Sequence, residues 1–516
     1  MSISAESNPE SPVAAGSPGL LLLSVFLVAT CGLVYELIAG ALASYLLGDS
    51  VLQFSTIIGD YLFAMGVGSY LSQFVGQRRP AVAFVRLQNC IALIGGFSAA
   101  VMHVAYSYSG GFRLVLYLLV FVVGLLVGVE IPLVMVILKR NYSFRQLVSG
   151  VLALDYLGAL LASILFPLVL IPHLGLIRTS FCCGLINVVV ALVFVSTFQL
   201  RIPLLRLEIA LVGLLLGAGL IGSEKITRWA EEGLYPDPIV LSRTSPYQRL
   251  VVTRKHQELR LYINGNLQFS SRDEYRYHEA LVHPPLTSLK APRRVLILGG
   301  GDGLAAREIL RYPTVKQIVL VDLDPEMTRL FRSHSTLSKL NQHSLSDPRL
   351  QVVNADAFVW VRDSKEKPFD AIVVDFPDPS NYAVGKLYTR TFYQRLQPLL
   401  SPGGAMSVQC TSPLFARRSY WCIVETLRSA GWHSRPYHLY VPSFGEWGYT
   451  LATRDNAVQP DHTRLPNGLR YLDGPGLADL FSFPADMAAM QVPVNRLFDQ
   501  VLVRFYEQDW RSIVES

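Results

Sequence analysis

The stretch "APRRVLILGGGDGLAAREILR" (residues 291–311) decides the fold of the second half of this chain. Its apolar run predicts a buried strand, its glycines predict a sharp turn, and the residues after them predict a helix. Strand, glycine turn and helix in this order begin a doubly wound nucleotide-binding sheet, because glycines let the backbone approach a ligand closely. We therefore expect Gly299 and Gly301 to lie against a bound nucleoside.

Two further strands continue this pattern, and each ends at an acid. "KQIVLVDLDP" (316–325) ends at Asp322, about twenty residues after the glycine turn, where an acid commonly binds ribose hydroxyls. "LQVVNADAF" (350–358) ends at Asp356, in a sequence suited to an adenine edge. Ligands of such sheets bind at the carboxyl ends of the strands, so both acids are predicted to face the ligand.

An acid inside the glycine turn narrows the choice of ligand. Asp302 would repel a pyrophosphate, which needs donors and positive charge at this place. A sulfonium nucleoside with a positively charged tail fits the Asp302 carboxylate better than a pyrophosphate does. The alternative is that Asp302 only caps the helix that follows.

The fourth strand, "FDAIVVDFPDPSN" (369–381), ends in a pair of carboxylates. Asp375 closes the apolar run, and Asp378 follows between two prolines. An alkylamine has a pKa near 10.4 and is protonated at pH 7, so a site that uses it as a nucleophile must accept its proton. A carboxylate within hydrogen-bond reach can act as that general base while a second one orients the nitrogen. Asp375 and Asp378 fit those two tasks.

Ahead of this sheet, the sequence predicts a small β-hairpin region and a helix. "RLVVTRKHQELRLYINGNLQFSS" (249–271) alternates apolar and polar residues around an Asn264-Gly265 turn, which is a strong hairpin signal. "DEYRYHEALVHPPL" (273–286) predicts a helix.

The first half has the composition of a membrane protein. The whole chain of 516 residues is 51% hydrophobic and 16% charged, against roughly 25% charged in an average soluble domain. Segments long enough to cross a bilayer are predicted near 20–47, 52–76, 82–106, 113–138, 147–172, 177–198 and 204–222. The last is the weakest, because it is short and begins with two charged residues.

Composition also excludes several classes of site. The net charge of +6 includes no basic block of the kind that binds nucleic acid. Six cysteines show no CxxC spacing, so we expect reduced thiols and no metal site. The sequence allows a homo-oligomer.

Four acids lie at membrane depth in the predicted spans: Glu36, Asp60, Glu130 and Asp155. Burial of a carboxylate in lipid is costly, so each is a candidate functional residue. Two interpretations stay open, a hydrogen bond to a neighbouring helix as structural support and a pathway for polyamines or other cations.

The orientation of the bundle in the membrane is predicted from the basic residues of its loops. The positive-inside rule places these residues in the cytoplasm: Arg78, Arg79, Arg86, Lys139, Arg140, Arg145, Arg201 and Arg206. With seven complete spans, the second half of the chain would then face outward. A re-entrant seventh segment would return it to the cytoplasm, which a cytoplasmic nucleoside ligand favours.

The motifs together resemble the spermidine synthase (polyamine aminopropyltransferase) family. The likeness runs from about Tyr247 to Tyr449 and, in the multi-pass membrane branch of that family, over nearly the whole chain. The motifs that carry it are "YQ" (247–248), "NGNLQ" (264–268), "DEYRYHE" (273–279), "GGGDG" (299–303), "VDLDP" (321–325), "NADAF" (354–358) and "DFPDP" (375–379).

The resemblance implies a reaction and its ligands. Such enzymes transfer aminopropyl from decarboxylated S-adenosylmethionine, a co-substrate and not a resident cofactor, to putrescine or a related diamine, giving spermidine and methylthioadenosine. By that resemblance Gln248 would contact the adenosyl compound, Asp322 the ribose, and Asp356 with Ala357 the adenine.

On the acceptor side, the resemblance places Gln268 in the substrate channel and His278 with Asp302 on the polyamine or aminopropyl amine. Asp375 would be the proton acceptor and Asp378 would hold the attacking amine. The chain departs from the family at Phe444, where soluble members often carry a tyrosine that binds polyamine, and after Asp378, where Tyr382 lies near a usual proline contact.

Two other functions remain as alternatives. One is an N-methyl- or alkyltransferase that uses S-adenosylmethionine, although Asp302 would repel the carboxylate of that cofactor. The other is a polyamine transporter or sensor.

The expected fold is an N-terminal α-helical transmembrane bundle of about seven spans plus an α/β doubly wound, Rossmann-like domain. The expected parts are a disordered tail (1–18), the bundle (19–222), the hairpin region (235–290), the Rossmann-like domain (291–455) and a C-terminal packing extension without assigned chemistry (456–516).

Overall fold

The computed structural model describes residues 18–47, 50–108, 111–139, 143–455 and 458–515. The predicted disordered tail lies outside these residues except for Pro18, which begins the first helix, and Arg140 of the basic loops also lies outside them. The chain divides between Pro236 and Asp237 into two units, and each is described by itself.

The described part of the first unit contains seven long helices. They are α1 (Pro18–Leu47), α2 (Ser50–Leu71), α3 (Pro80–Tyr108), α4 (Phe112–Leu138), α5 (Phe144–Leu165), α6 (Ile171–Thr197) and α7 (Pro203–Glu232). Glycines let neighbouring helices approach closely. A Cβ atom on Gly68 of α2 would lie 2.0 Å from the Leu125 carbonyl oxygen of α4.

The count of seven membrane spans is not confirmed. By length and composition, the described residues contain five helical stretches that could cross a membrane: Gly19–Ser44, Pro80–Tyr108, Phe112–Leu138, Arg145–Thr197 and Pro203–Glu232. The span predicted at 52–76, which falls on α2, is not among them. The spans predicted at 147–172 and 177–198 fall within one continuous stretch, which Gly175 interrupts with a non-helical φ of 72°.

One of the four acids in the bundle has a clear structural partner. Glu130 of α4 is 5% exposed, and its Oε1 accepts a hydrogen bond of 2.6 Å from Gln88 Nε2 of α3. This contact joins two helices, as the structural interpretation of these acids expects. A cation pathway through the acids stays a prediction.

The second unit begins with an antiparallel sheet of four strands in the order β1-β2-β3-β4. They are β1 (Ile239–Thr244), β2 (Arg249–Lys255), β3 (Glu258–Ile263) and β4 (Asn266–Ser270). The predicted turn joins β3 to β4, where Asn264 and Gly265 have φ angles of 50° and 82°. Both values lie in the left-handed region that this turn requires. Helix α8 (Glu274–Thr287) follows.

A seven-stranded sheet forms the rest of the second unit, in the order β10-β11-β9-β8-β5-β6-β7. Its strands are β5 (Arg294–Gly299), β6 (Gln317–Asp322), β7 (Leu350–Asn354), β8 (Phe369–Asp375), β9 (Leu400–Gln409), β10 (His433–Val441) and β11 (Gly445–Thr453). Strands β9, β8, β5, β6 and β7 are parallel, and β11 and β10 are antiparallel additions.

Apolar cores cover both faces of this sheet. On β5, Val295 and Ile297 belong to one core, and Leu296 and Leu298 belong to the other. This alternation explains why the strand reads as a continuous apolar run. The remaining helices of this unit are α9 (Leu304–Ile309), α10 (Pro325–Ser333), α11 (Leu337–Leu340), α12 (Ala357–Asp363), α13 (Tyr382–Gly385), α14 (Arg390–Leu396), α15 (Arg417–Ser429), α16 (Gly474–Asp479) and α17 (Val501–Glu515). The predicted α/β fold of this half is confirmed.

Candidate active site

Four adjacent parallel strands bring the predicted site residues to one edge of the sheet. The pairing register sets Gly299 of β5 opposite Asp375 of β8, and Asp322 of β6 opposite Asn354 of β7. The acids that end β8 and β6 therefore lie along the same edge, with β5 between the two strands, as expected for the carboxyl edge of a doubly wound sheet.

The glycine turn fits this edge because it carries no side chains there. Gly299 has a φ of 85°, and a Cβ atom on it would lie 2.1 Å from the Asp375 carbonyl oxygen. The amide of Gly301 donates a 3.0 Å hydrogen bond to Asp322 Oδ2. Burial raises the pKa of Asp322 to about 6, although two backbone amides oppose this.

Asp375 has a partner that the sequence reasoning missed. The hydroxyl of Tyr277, on α8, donates to Asp375 Oδ1 at 2.7 Å. Burial raises the pKa of Tyr277 well above its usual value, so the phenol remains a donor. Burial also raises the pKa of Asp375, while the charge of His278 and the bond from Tyr277 lower it. A carboxyl with a raised pKa is a stronger proton acceptor once ionised.

His278, the next residue of α8, is held as a cation. It is 3% exposed, and its Nδ1 lies 2.9 Å from Glu274 Oε2. Burial opposes protonation, but the hydrogen bond and charge of Glu274 raise the pKa of His278 to about 9, and the neighbouring acids add to this. An imidazolium repels an ammonium, so the structure favours a role of His278 in balancing the acids; its predicted contact with the amine stays a prediction.

Behind His278, a buried ion pair fixes Glu274. Arg307 Nη1 and Nη2 donate to Glu274 Oε1 and Oε2 at 2.8 and 2.9 Å. Two parallel bonds of this kind orient the carboxylate strongly. Neither Glu274 nor Arg307 was assigned from the sequence, although Glu274 lies within the "DEYRYHE" motif.

Asp302 is bonded to the start of the helix that follows it, and its predicted contact with a cationic ligand stays a prediction. It is 8% exposed, and its Oδ1 accepts a 2.9 Å hydrogen bond from the amide of Leu304 at the start of α9. Burial raises its pKa to about 6, the charge of His278 lowers it, and the charge of Asp375 raises it. The capping contact is therefore present, and the side chain still interacts electrostatically with the site.

The predicted adenosyl-binding residues lie on the β6 and β7 side. Gln248 Nε2 donates to Asp324 Oδ2 at 2.9 Å, which ties the hairpin sheet to the loop after β6. Ala357 begins α12 and is buried. Asp356 caps the same helix, and its Oδ2 accepts a 2.6 Å bond from Lys386 Nζ. Lys386 was not assigned from the sequence. In this structure it forms an ion pair with Asp356, the acid predicted to bind adenine.

Gln268 stands apart from the other predicted residues. It lies on β4, where its Nε2 donates to the Asn266 carbonyl at 3.5 Å. Within the described part of the chain, no hydrogen bond joins it to the acids at the strand ends. Its place in a substrate channel stays a prediction.

Asp378 is surrounded by hydrogen-bond donors. Its Oδ1 accepts from Gln409 Nε2 at 3.3 Å, and its Oδ2 accepts from Thr411 Oγ1 at 3.2 Å. The hydroxyl of Tyr506 donates to Oδ2 at 2.9 Å. Burial raises the pKa of Asp378 to about 6, although these donors lower it. The C-terminal extension, to which the sequence interpretation assigned no chemistry, thus reaches the site.

Comparison with known proteins now decides the family. The Spermine/spermidine synthase domain matches residues 274–462. Polyamine aminopropyltransferase 1 of Ralstonia nicotianae is 54% identical over 98% of this chain and 97% of its own length. Polyamine aminopropyltransferase of Leptospira interrogans is 49% identical over 96% of this chain and 99% of its own length.

The chain belongs to the polyamine aminopropyltransferase family. It is an aminopropyl-transferring enzyme of polyamine biosynthesis, so the resemblance inferred from its motifs is confirmed. Membership supports neither a methyltransferase nor a transporter or sensor as its main activity. A crystal structure of spermidine synthase in complex with the transition state analogue AdoDATO is 26% identical, with a TM-score of 0.45, and covers 48% of this chain and 85% of its own.

In this aminopropyltransferase, aromatic rings lie beside Tyr277, the hydrogen-bond partner of Asp375. The ring of Phe444 lies 6.2 Å from that of Tyr277 and 5.1 Å from that of Trp447. The neighbouring Ser443 donates its amide and hydroxyl to Asp273 at 2.7 and 2.9 Å, which fixes this loop to the start of α8. The departure at Phe444 therefore leaves an apolar ring beside Tyr277 in place of a further hydroxyl.

Proposed function

We propose that this enzyme transfers the aminopropyl group of decarboxylated S-adenosylmethionine to putrescine, giving spermidine and methylthioadenosine, and that Asp375 is the proton acceptor. The observation that carries the proposal is Asp375 itself. It ends a buried strand beside the glycine turn, is oriented by the Tyr277 hydroxyl, and has a raised pKa. It thus has the position and proton affinity of a general base.

The chemistry requires that the amine lose a proton. Putrescine enters with ammonium groups, and Asp375 accepts a proton from the attacking nitrogen. The nitrogen lone pair then forms a bond to the aminopropyl carbon attached to sulfur. The carbon–sulfur bond breaks, its electron pair stays on sulfur, and neutral methylthioadenosine leaves. Asp378, held by three donors, orients the amine.

The remaining acids suit a cationic donor. Asp302 lies in the turn where the charged aminopropyl tail would bind, and a carboxylate there disfavours S-adenosylmethionine. We assign Asp322 to the ribose and Asp356, Ala357 and Gln248 to the adenosine. Binding of adenine at Asp356 requires that Lys386 move or share that carboxylate, since its Nζ now lies 2.6 Å away.

We also propose that the enzyme is an integral protein of the cell membrane with its catalytic unit in the cytoplasm. Five long apolar stretches among the described residues support membrane association. The donor nucleoside supports the cytoplasmic side for the catalytic unit.

The test is turnover by the purified full-length protein in detergent. Wild type is incubated with decarboxylated S-adenosylmethionine and a series of diamines, and methylthioadenosine release is measured. We expect release with putrescine and a loss of about 10²- to 10⁴-fold in kcat for Asp375→Asn. The matched control is Asp363→Asn, an exposed acid at the end of α12 whose loss should leave kcat unchanged. Release that is as fast in Asp375→Asn as in wild type would contradict the assignment.

A further inference from the structure

The C-terminal helix α17 contributes a side chain to the proposed acceptor site. Tyr506 lies outside the residues that match the family domain, 274–462, yet its hydroxyl is 2.9 Å from Asp378 Oδ2. Burial raises the pKa of Tyr506 well above its usual value, so the phenol acts as the donor in this bond.

Several contacts hold α17 in a defined position against the domain. Asp509, 8% exposed, accepts from Ser419 Oγ at 2.9 Å and from Arg418 Nε at 2.8 Å on α15. On the first turn of α17, Leu502 and Val503 are 0% and 1% exposed. The contacts of its first turn and of Asp509 lie on either side of Tyr506 in the helix and place the Tyr506 hydroxyl with little freedom.

The segment before α17 is tied to the loop that follows Asp378. Asn495 Nδ2 donates to the Tyr388 carbonyl at 3.0 Å, and the amide of Arg390 donates to the Asn495 carbonyl at 2.9 Å. A Cβ atom on Gly385 would lie 2.6 Å from a methyl carbon of Val503. This close fit joins α17 to the region where the chain leaves the pattern of soluble enzymes.

The donors around Asp378 come from three places in the chain. Gln409 and Thr411 lie at the end of β9 and just after it, and Thr411 has an unusual φ of 62°. Tyr506 supplies the third bond and the shortest. All three groups donate, so together they favour the ionised carboxylate and fix its plane.

Aromatic rings extend from Tyr506 toward the other acid of the pair. The ring of Tyr506 lies 5.9 Å from that of Trp510, which lies 6.3 Å from that of Phe415. A Cβ atom on Gly445 would lie 2.7 Å from the Phe415 ring, and Gly445 follows Phe444, which packs on Tyr277. The rings from Tyr506 to Phe415 thus end beside Gly445, the residue that follows Phe444.

We propose that Tyr506, on α17, is a positioning residue of the acceptor subsite, which fixes the Asp378 carboxylate for the ammonium group of the acceptor. The inference rests on the proposed function. An ammonium of the acceptor binds the Asp378 carboxylate that Tyr506 orients. Binding of the amine therefore depends on a helix beyond the matched domain.

The test compares Tyr506→Phe with a matched control, Tyr440→Phe, because Tyr440 is a tyrosine of β10 that is 54% exposed. Affinity for putrescine is measured by calorimetry with methylthioadenosine present, and KM is measured for both substrates. We expect Tyr506→Phe to weaken putrescine binding and raise its KM about tenfold, with the donor KM unchanged, because one hydrogen bond to the carboxylate that binds the acceptor is lost. Tyr440→Phe should match wild type.

The outcomes separate this inference from the proposed function. Putrescine affinity that is equal in Tyr506→Phe and wild type overturns the inference, even if turnover is normal. A KM that rises equally for donor and acceptor also overturns it, because the effect would then be general. If wild type binds putrescine but releases no methylthioadenosine, the proposed function fails, and weaker binding by Tyr506→Phe still supports the inference.

Discussion

Single side chains set the charge of this active site. His278 is protonated because Glu274, itself fixed by Arg307, lies against its Nδ1. The imidazolium lowers the pKa of Asp302 and Asp375, while burial raises both. Asp302 therefore titrates near pH 6, and burial raises the proton affinity of Asp375. This suits groups that must bind ammonium and accept a proton.

The pH dependence of the reaction should show these raised pKa values. Asp302 and Asp378 have pKa values raised to about 6, so acidification protonates them and removes the charge that binds amines. The diamine stays fully protonated between pH 4 and 8, so a change in this range reports the enzyme. We expect kcat/KM for putrescine to fall below a midpoint near pH 6, by more than tenfold per unit where both acids titrate.

The matched variant for this pH profile is Asp302→Asn, which removes one of the two titrating acids. Its kcat/KM for putrescine should fall less steeply below pH 6 and should reach a lower maximum above it. A midpoint near pH 4 in wild type, the usual value for exposed aspartates, would show that burial does not control these groups.

At the scale of elements, the junction of β5, the glycine turn and β8 positions the base. The strand register sets Gly299 opposite Asp375, and the absent side chain of Gly299 lets the two backbones approach. A residue with a side chain could not replace Gly299, because its Cβ atom would lie only 2.1 Å from the carbonyl oxygen of Asp375.

Substitution at this junction should cost stability and activity together. Gly299 and Gly403 both have positive φ angles, 85° and 73°, but a Cβ atom on Gly403 would meet nothing within 4 Å. Gly403→Ala should therefore lose about 1 kcal/mol of unfolding free energy from backbone strain alone. Gly299→Ala should lose at least twice as much and also reduce kcat, because Asp375 must shift. Chemical denaturation and turnover measure both effects, and equal losses in the two variants would show that the close approach has no importance.

At the scale of the whole molecule, a helical unit and a catalytic unit share one chain. The predicted weakest span, 204–222, is part of α7, a helix of 30 residues that is long and apolar enough to cross a membrane. The described residues offer five such stretches rather than seven. Whether the number of crossings is odd or even decides on which side of the membrane the catalytic unit lies. The orientation is therefore measured directly.

Labelling of an introduced cysteine measures that orientation in cells. Asp363→Cys lies on the catalytic unit, where the Asp363 side chain is 58% exposed, and Cys90→Ser removes the exposed native thiol. We expect a membrane-impermeant maleimide to label this variant only after the cells are permeabilised. The Cys90→Ser protein without the added cysteine should stay unlabelled in both conditions. Labelling in intact cells would place the catalytic unit outside.

The sequence by itself determined the apolar segments, four strands of the large sheet and the acids at or just after their ends. Those features depend on local chemistry: hydrophobic runs, glycines in the left-handed region and acids just after a strand leave a pattern within a few residues. The family motifs, from the glycine turn to Asp375 and Asp378, are short stretches of the same kind and were therefore identified from the sequence.

Only the tertiary structure decided which side chains support those acids. Tyr506 is 128 residues from Asp378 in sequence, Tyr277 is 98 residues from Asp375, and Lys386 is 30 residues from Asp356. A hydrogen bond between such distant residues leaves no periodicity in the sequence, because it exists only after sheet and helices have packed. Burial decided the charge of the site for the same reason, since the desolvation that raises the pKa of Asp302, Asp322 and Asp378 to about 6 comes from atoms supplied by the whole unit.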